Sequence, residues 1–253
     1  YLGMEHQSAI AYGNNFLKGY YGNIAFIDNL DFDYIIVHES GHEWWGNSIT
    51  TSDIADMWIH EGFCTYSEVL FVECLYGYDK MLSYVNNQKN NVLNNKPILG
   101  TYHVNNKGSS DMYCKGSLML HTLRNLIDND ELWFSIIKGI SNNFKHQIVD
   151  GQDIIDYINL VSDKDFSIFF KQYLEFKDIP EFQYSIVKEG INKTLVYRWE
   201  AIDKFDMPLL INIGQEDFWI YPSNSFSEID LGAFDINDFN IRNDLFYINT
   251  KKL

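Results

Sequence analysis

The sequence is poor in cysteine, proline and basic side chains, and each shortage excludes something. Three cysteines, Cys64, Cys74 and Cys114, cannot all pair within one chain, so a secreted disulfide framework is not expected, although the count says nothing of compartment. Four prolines and the lack of any low-complexity tract leave no long linker between separate units. Nineteen basic against thirty-five acidic residues give a net charge of −16, which repels phosphate backbones and anionic lipid and argues against nucleic acid as a partner. No apolar run approaches the roughly 20 residues needed to cross a bilayer. There is also no initiator Met and no basic-then-apolar leader, because Tyr1 opens the chain and Leu2 to Phe26 already reads as folded sequence. The expectation is a fragment or processed product whose targeting peptide or preceding domain lies outside this sequence.

What is present is an ordinary globular composition, 46% hydrophobic and 16% aromatic over 253 residues, enough for one large or two modest domains. In the first thirty residues Gly3, Gly13, Gly19 and Gly22 separate short apolar stretches, the pattern of strands and turns at a sheet edge. From Asp31 the period becomes helical, with Asp31 or Asp33 as N-cap, and predicts a helix of about four turns ended by Gly46 and Asn47. Ser52 or Asp53 caps a neighbouring helix from Ile54 to Leu75, stopped by Gly77. Further helices are expected over Asp79 to Leu93, Asp111 to Ile127, Glu131 to Phe144, Gly151 to Val161 and Asp163 to Phe176, with the longest loop from Lys96 to Ser110. Past Ile179 and Pro180 the residues alternate in short runs such as Gln183 to Val187, Leu195 to Trp199 and Leu209 to Ile213, an all-β pattern. The expected fold class is α+β: residues 1–178, with a sheet edge over 1–30 and helices over 31–178, then a small β domain over 179–253. Trp44, Trp45 and Trp58 read as core residues of the paired helices.

His38-Glu39-Ser40-Gly41-His42 lies inside the first predicted helix. Residues four apart on a helix are about 40° apart around its axis, so both imidazoles project from one face and can share one ion. Glu39 is turned about 100° away, too far to complete the same ligand set but well placed as general base toward an attacking water. The motif alone arises by chance in about one chain in a hundred of this length. A third protein ligand is needed, leaving a fourth position for water or substrate, and Glu61 follows His42 by 19 positions on the neighbouring helix. Gly62 beside it reads as leaving the backbone uncrowded. His60 competes, but it faces about 100° from Glu61, and His-His-Glu is the better known hydrolytic set.

These residues resemble the zinc aminopeptidases of peptidase family M1, the gluzincins, whose pattern is H-E-x-x-H, eighteen residues, then Glu. His38, Glu39, His42 and Glu61 match it position for position. His42-Glu43-Trp44-Trp45-Gly46-Asn47 and Trp58-Ile59-His60-Glu61-Gly62-Phe63 are similar to the family's H-x-W-x-G-N and W-x-N-E-G-F segments, with His60 in place of Asn. Leu2-Gly3-Met4-Glu5-His6 resembles the exopeptidase motif Gly-x-Met-Glu-Asn, with Leu2 for Gly and His6 for Asn, and Tyr113-Cys114-Lys115-Gly116 resembles Tyr-x-Lys-Gly.

The resemblance implies a thermolysin-like, mostly helical zinc-peptidase domain, cut short at its N-terminal sheet, followed by a small β-sandwich. It implies one Zn²⁺ per chain on His38, His42 and Glu61, and Glu39 as general base. Tyr113 would donate to the oxyanion, Glu5 would pair with a free α-ammonium, and Gly3 and Met4 would line the substrate site, Met4 beside the first side chain. The partners implied are peptides with a free N-terminus and a missing N-terminal β-domain packed on the catalytic one. An endopeptidase or epoxide hydrolase on the same scaffold, and a non-catalytic zinc-binding scaffold, remain as alternatives. His103 and His121 have no spacing partner, and Cys64 and Cys114 adjoin the site in sequence only.

Overall fold

In the computed structural model, which describes residues 3–19 and 30–253, helices form along the apolar periodicity, and Asp33, Asn129 and Asp150 cap the starts of three of them. Tyr1, Leu2, Gly22 and Phe26 lie outside the described residues. The sheet edge expected at the start is a short antiparallel ladder of β1 (Gly3–Met4) with β2 (Ala11–Tyr12). The Tyr12 hydroxyl hydrogen-bonds the Asp33 carboxylate, which also caps α1 (Tyr34–Gly41) by accepting from Ile35 N–H at 3.1 Å.

Helix α1 is half as long as its sequence predicts. Beyond Gly41 the chain loosens into turns: Asn47 N–H returns to the His42 carbonyl, and the Trp45 carbonyl rotates to accept from His42 Nδ1, each at 2.9 Å. Trp44 thereby leaves the buried face and is 55% exposed, contrary to its expected core position, while Trp45 and Trp58 are buried. The chain then forms β3 (Ile49–Thr51), a single 3₁₀ turn capped by Asp53, and the twenty-residue α2 (Met57–Tyr76). Trp58, Phe63, Tyr66, Val69 and Val72 bury different faces of α2, as a helix enclosed by others requires.

Around α2 pack α3 (Tyr78–Asn87), α4 (Cys114–Ile127) and α5 (Asp130–Asn143). Strand β4 (Gln147–Val149) pairs in parallel with β3, and α6 (Gly151–Ser162) and α7 (Ser167–Glu175) complete the helical part. Where α2 and α4 cross, a Cβ on Gly116 would stand 2.9 Å from the Gly62 Cα. The neighbourhood of Gly62 is therefore crowded, not open: the missing side chain is filled by another helix.

The remaining elements are β5 (Glu181–Glu189), β6 (Asn192–Glu200), β7 (Leu209–Ile213), β8 (Glu216–Ile220), β9 (Ser227–Asp230), β10 (Phe239–Ile241) and β11 (Asn249–Lys252). One sheet runs β11-β5-β6-β9 and the other β10-β7-β8, all antiparallel except β11 with β5. The Tyr184 and Phe239 rings meet between the sheets at 5.8 Å. The C-terminal segment ties sheets to helices: Tyr247 N–H donates to Thr122 Oγ1 at 2.9 Å and the Tyr173 hydroxyl to the Tyr247 carbonyl at 2.7 Å. One apolar core runs from Trp58 and Phe170 through Phe182 and Trp199, so the fold is a mixed α+β structure.

Candidate active site

The unwinding after α1 and the start of α2 bring three buried side chains together. His38 Nε2 stands 3.1 Å, and His42 Nε2 3.4 Å, from the same Glu61 oxygen, Oε2. The other ring nitrogens are engaged: His38 Nδ1 bonds Glu68 Oε1 and His42 Nδ1 bonds the Trp45 carbonyl, each at 2.9 Å. A carboxylate and a carbonyl accept only, so each Nδ1 carries a proton, and each Nε2 is left as the ring atom directed at Glu61 Oε2, able to share a proton or a metal ion with it. Three such ligand atoms within 4.8 Å of one another call for a cation, and two imidazoles with one carboxylate suit zinc. The electrostatics of the cluster point the same way. Burial alone would lower His38, but hydrogen bonds to Glu61 and Glu68 outweigh it and raise the imidazole to about 10. Burial would raise Glu61, and hydrogen bonds from His38 and His42 instead hold it well below the usual carboxylate range. The cluster requires positive charge, which a proton or a metal ion supplies.

His60 is not part of this cluster. Its Nε2 accepts from Thr51 N–H at 3.1 Å, and burial pushes its pKa down to about 4, so it is a neutral brace between α2 and β3.

Glu39 faces β1. A Cβ on Gly3 would collide with the Glu39 carboxylate as it stands, so glycine at position 3 lets the strand cross close over this side chain. Glu39 Oε2 is buried with no hydrogen-bond partner. Burial raises the Glu39 pKa, opposed by His38 and His42 and reinforced by Glu5 and Glu61. Glu5 brings its carboxylate within 4.8 Å of ligand atoms of Glu39 and His42. Its strand is tethered from the turn after α1, where Asn47 Nδ2 donates to the Glu5 carbonyl at 3.1 Å and Glu43 accepts from Ser8 N–H at 2.8 Å.

Tyr113 arrives through the close crossing of α2 and α4, and its hydroxyl donates to Glu61 Oε1 at 2.9 Å. Burial and the Glu61 charge raise its pKa, so it is a protonated donor at neutral pH. A cleft of about 510 Å³ contains all eight residues expected from the sequence, from Gly3, Met4 and Glu5 to Tyr113.

Residues 1–173 match the peptidase family M1 domain. The chain belongs to peptidase family M1. It is similar to aminopeptidase N of Lactobacillus helveticus, 24% identical over 223 residues that cover 80% of this chain and 25% of that protein. It is also similar to aminopeptidase N of Lactococcus lactis subsp. lactis, 24% identical over 170 residues, 62% of this chain and 20% of that one. Among solved structures, aminopeptidase A of Legionella pneumophila in complex with aspartic acid superposes with a TM-score of 0.68 and 18% identity, covering 86% of this chain and 26% of that chain. The M1 zinc metallopeptidase of Deinococcus radiodurans, solved with a Tyr-Ser-Ala substrate, superposes at 0.55 with 20% identity, covering 69% and 37%. The chain thus spans a quarter or less of the length of these two curated relatives.

Within this M1 site the structure adds residues that the sequence reading passes over. Glu68 joins His38 to the Tyr84 hydroxyl, which donates to Glu68 Oε2 at 2.6 Å. Its signal was available, since seven residues after Glu61 is two helical turns and nearly the same face. Cys114 also lines the cleft, so its nearness is spatial as well as sequential, and Thr65, Met57 and Lys107 line it too. Lys115 turns away into the core, where its ammonium donates to the Phe176 and Lys177 carbonyls at 2.9 Å each and burial lowers its pKa to about 8.

Proposed function

We propose that this chain carries the catalytic centre of a zinc aminopeptidase that removes the N-terminal residue of peptides, built as a helical catalytic unit over 1–178 and a small β-sandwich over 179–253. The observation that carries the reading is the Glu5 carboxylate, packed in one cleft with Glu39, His42 and the His38-His42-Glu61 cluster. Three carboxylates, Glu5, Glu39 and Glu61, crowd a buried space, and a substrate ammonium offsets their repulsion where a blocked terminus would not.

His38, His42 and Glu61 would hold one zinc ion, which supplies Lewis acidity toward a peptide carbonyl and lowers the pKa of water towards about 7. Glu39, which lines the cleft and has one buried oxygen without a partner, takes the proton of the attacking water and returns it to the departing amine. Tyr113, which donates to Glu61 in the free chain, turns its hydroxyl to the scissile carbonyl oxygen as negative charge develops there. Met4 and the backbone at Gly3 border the first side chain.

The test is mass spectrometry of a peptide incubated with the zinc-loaded protein. Loss of one residue at a time from a free N-terminus, with the N-acetylated peptide intact, is the expected result. Internal cleavage would instead make the protein an endopeptidase, and bound zinc without any cleavage would make it a scaffold.

A further inference from the structure

The walls of the cleft are acidic, with Glu5, Glu39, Glu61 and Glu68 all contributing, yet Lys107 also lines it. Lys107 is exposed, and its ammonium has no carboxylate partner among the described residues. In a chain with thirty-five acidic and nineteen basic side chains, an unpaired lysine on the wall of a cleft that four carboxylates also line needs a reason. Resting against its acidic neighbours would have been the default.

The backbone around it is fixed. In the loop that carries Lys107, Leu99 N–H donates to the Leu174 carbonyl at 3.0 Å and Gly100 N–H to the Ala55 carbonyl at 2.9 Å. His103 N–H donates to Asp53 Oδ2 at 2.8 Å, and the Tyr102 hydroxyl reaches both oxygens of the buried Asp56. The far end closes with Ser109 N–H on the Pro97 carbonyl at 3.0 Å. The loop has the 3₁₀ turn before α2 and helix α7 as anchors on one side and leads directly into Tyr113 on the other, so Lys107 sits on a tethered loop at the cleft rather than on a free tip.

A peptide is zwitterionic, and the carboxylates of this cleft can attract only its positive end. We propose that Lys107 is an anion subsite of the same cleft, which pairs with a carboxylate of the bound peptide and directs the protein to short or acidic peptides. The inference rests on the peptidase reading above and adds the class of substrate. A cleft of about 510 Å³ has the size of a small-ligand site, in which a bound peptide of two or three residues would present its C-terminal carboxylate near the walls. An Asp or Glu side chain offers the same group from a longer peptide.

Calorimetric titration of the zinc-loaded Glu39→Gln protein, which removes the general base, separates these sources. One arm compares Ala-Ala-Ala as free acid with its C-terminal amide. The other compares the amides of Ala-Glu-Ala and Ala-Gln-Ala. In at least one arm the anionic peptide is expected to bind about fivefold or more tighter than its neutral counterpart. Adding Lys107→Gln brings that ratio to within about twofold of unity, and Lys107→Arg restores it. The first arm responding identifies the C-terminus, and the second an acidic side chain. Ratios near unity in both arms, or a ratio that Lys107→Gln leaves intact, overturn the Lys107 assignment while the ammonium site stands. Failure to bind any of the four peptides overturns both.

Discussion

At the scale of single residues, the centre is a set of polar side chains whose second partners fix their direction. His38 is held from behind by Glu68, which Tyr84 holds in turn, and His42 by the Trp45 carbonyl. Such outer partners typically carry 10- to 100-fold in metal affinity, about 1.4–2.7 kcal/mol. Glu68→Ala is therefore expected to weaken zinc binding by about that factor in competition with a chelator, and an unchanged affinity would remove Glu68 from the centre. Tyr113→Phe is expected to lower kcat by about a hundredfold with zinc content unchanged, since it removes a donor and no ligand. The meeting of His38 and His42 was legible in the sequence because helical periodicity alone puts them on one face. Glu68 was equally legible from its spacing to Glu61, whereas Tyr84 comes from another helix and no local pattern marks it. Gly62 was misread because a glycine's lack of a side chain is compatible with open space and with a close neighbour, and only the fold distinguishes them.

At the scale of elements, three approaches build the site: β1 across α1 at Gly3, α2 beside α1, and α4 across α2 at Gly62 and Gly116. The last sets the reach of Tyr113 to Glu61. A Cβ at 116 would lie 2.9 Å from a backbone atom that cannot rotate aside, whereas a Cβ at 62 meets its nearest neighbours at 3.3 Å. Replacing a helical glycine by alanine gains up to about 1 kcal/mol of propensity, and overpacking costs about 1–3 kcal/mol. Gly116→Ala is accordingly expected to lose about 1–2 kcal/mol in urea unfolding, with Gly62→Ala closer to neutral; a stabilised Gly116→Ala protein would show that the helices separate freely. The starts of the first two helical segments were found because Asp33 and Asp53 announce them. The early end of α1 was not, because it depends on the Trp45 carbonyl being drawn to His42. The pairing of β3 with β4 was also missed: it joins segments nearly a hundred residues apart, each only three residues long.

At the scale of the whole molecule, the helical part and the two sheets share one apolar core, and the C-terminal segment hydrogen-bonds to both α4 and α7. A composition shift near Ile179 marks the change from helix to strand, but the parallel docking of β11 beside β5, with Asn249 N–H on the Pro180 carbonyl at 2.9 Å, closes the chain back over that point. Unfolding is expected to be a single transition. Far-UV circular dichroism, dominated by the helices, and hydrogen exchange of the β5 and β6 amides across a denaturant series should report one transition; two separated steps would mean that the shared core does not couple them.

The reading as a whole turns on whether the acidic end of the cleft exists to hold an α-ammonium. The measurement that addresses this most directly is kcat/KM for an aminoacyl anilide and its N-acetylated form, on the zinc-loaded protein and on Glu5→Ala. A preference for the free amine of about a hundredfold or more is predicted, falling by about tenfold or more in Glu5→Ala while zinc content stays at one per chain. Equal rates on the two substrates, or a preference that survives the loss of Glu5, would contradict it.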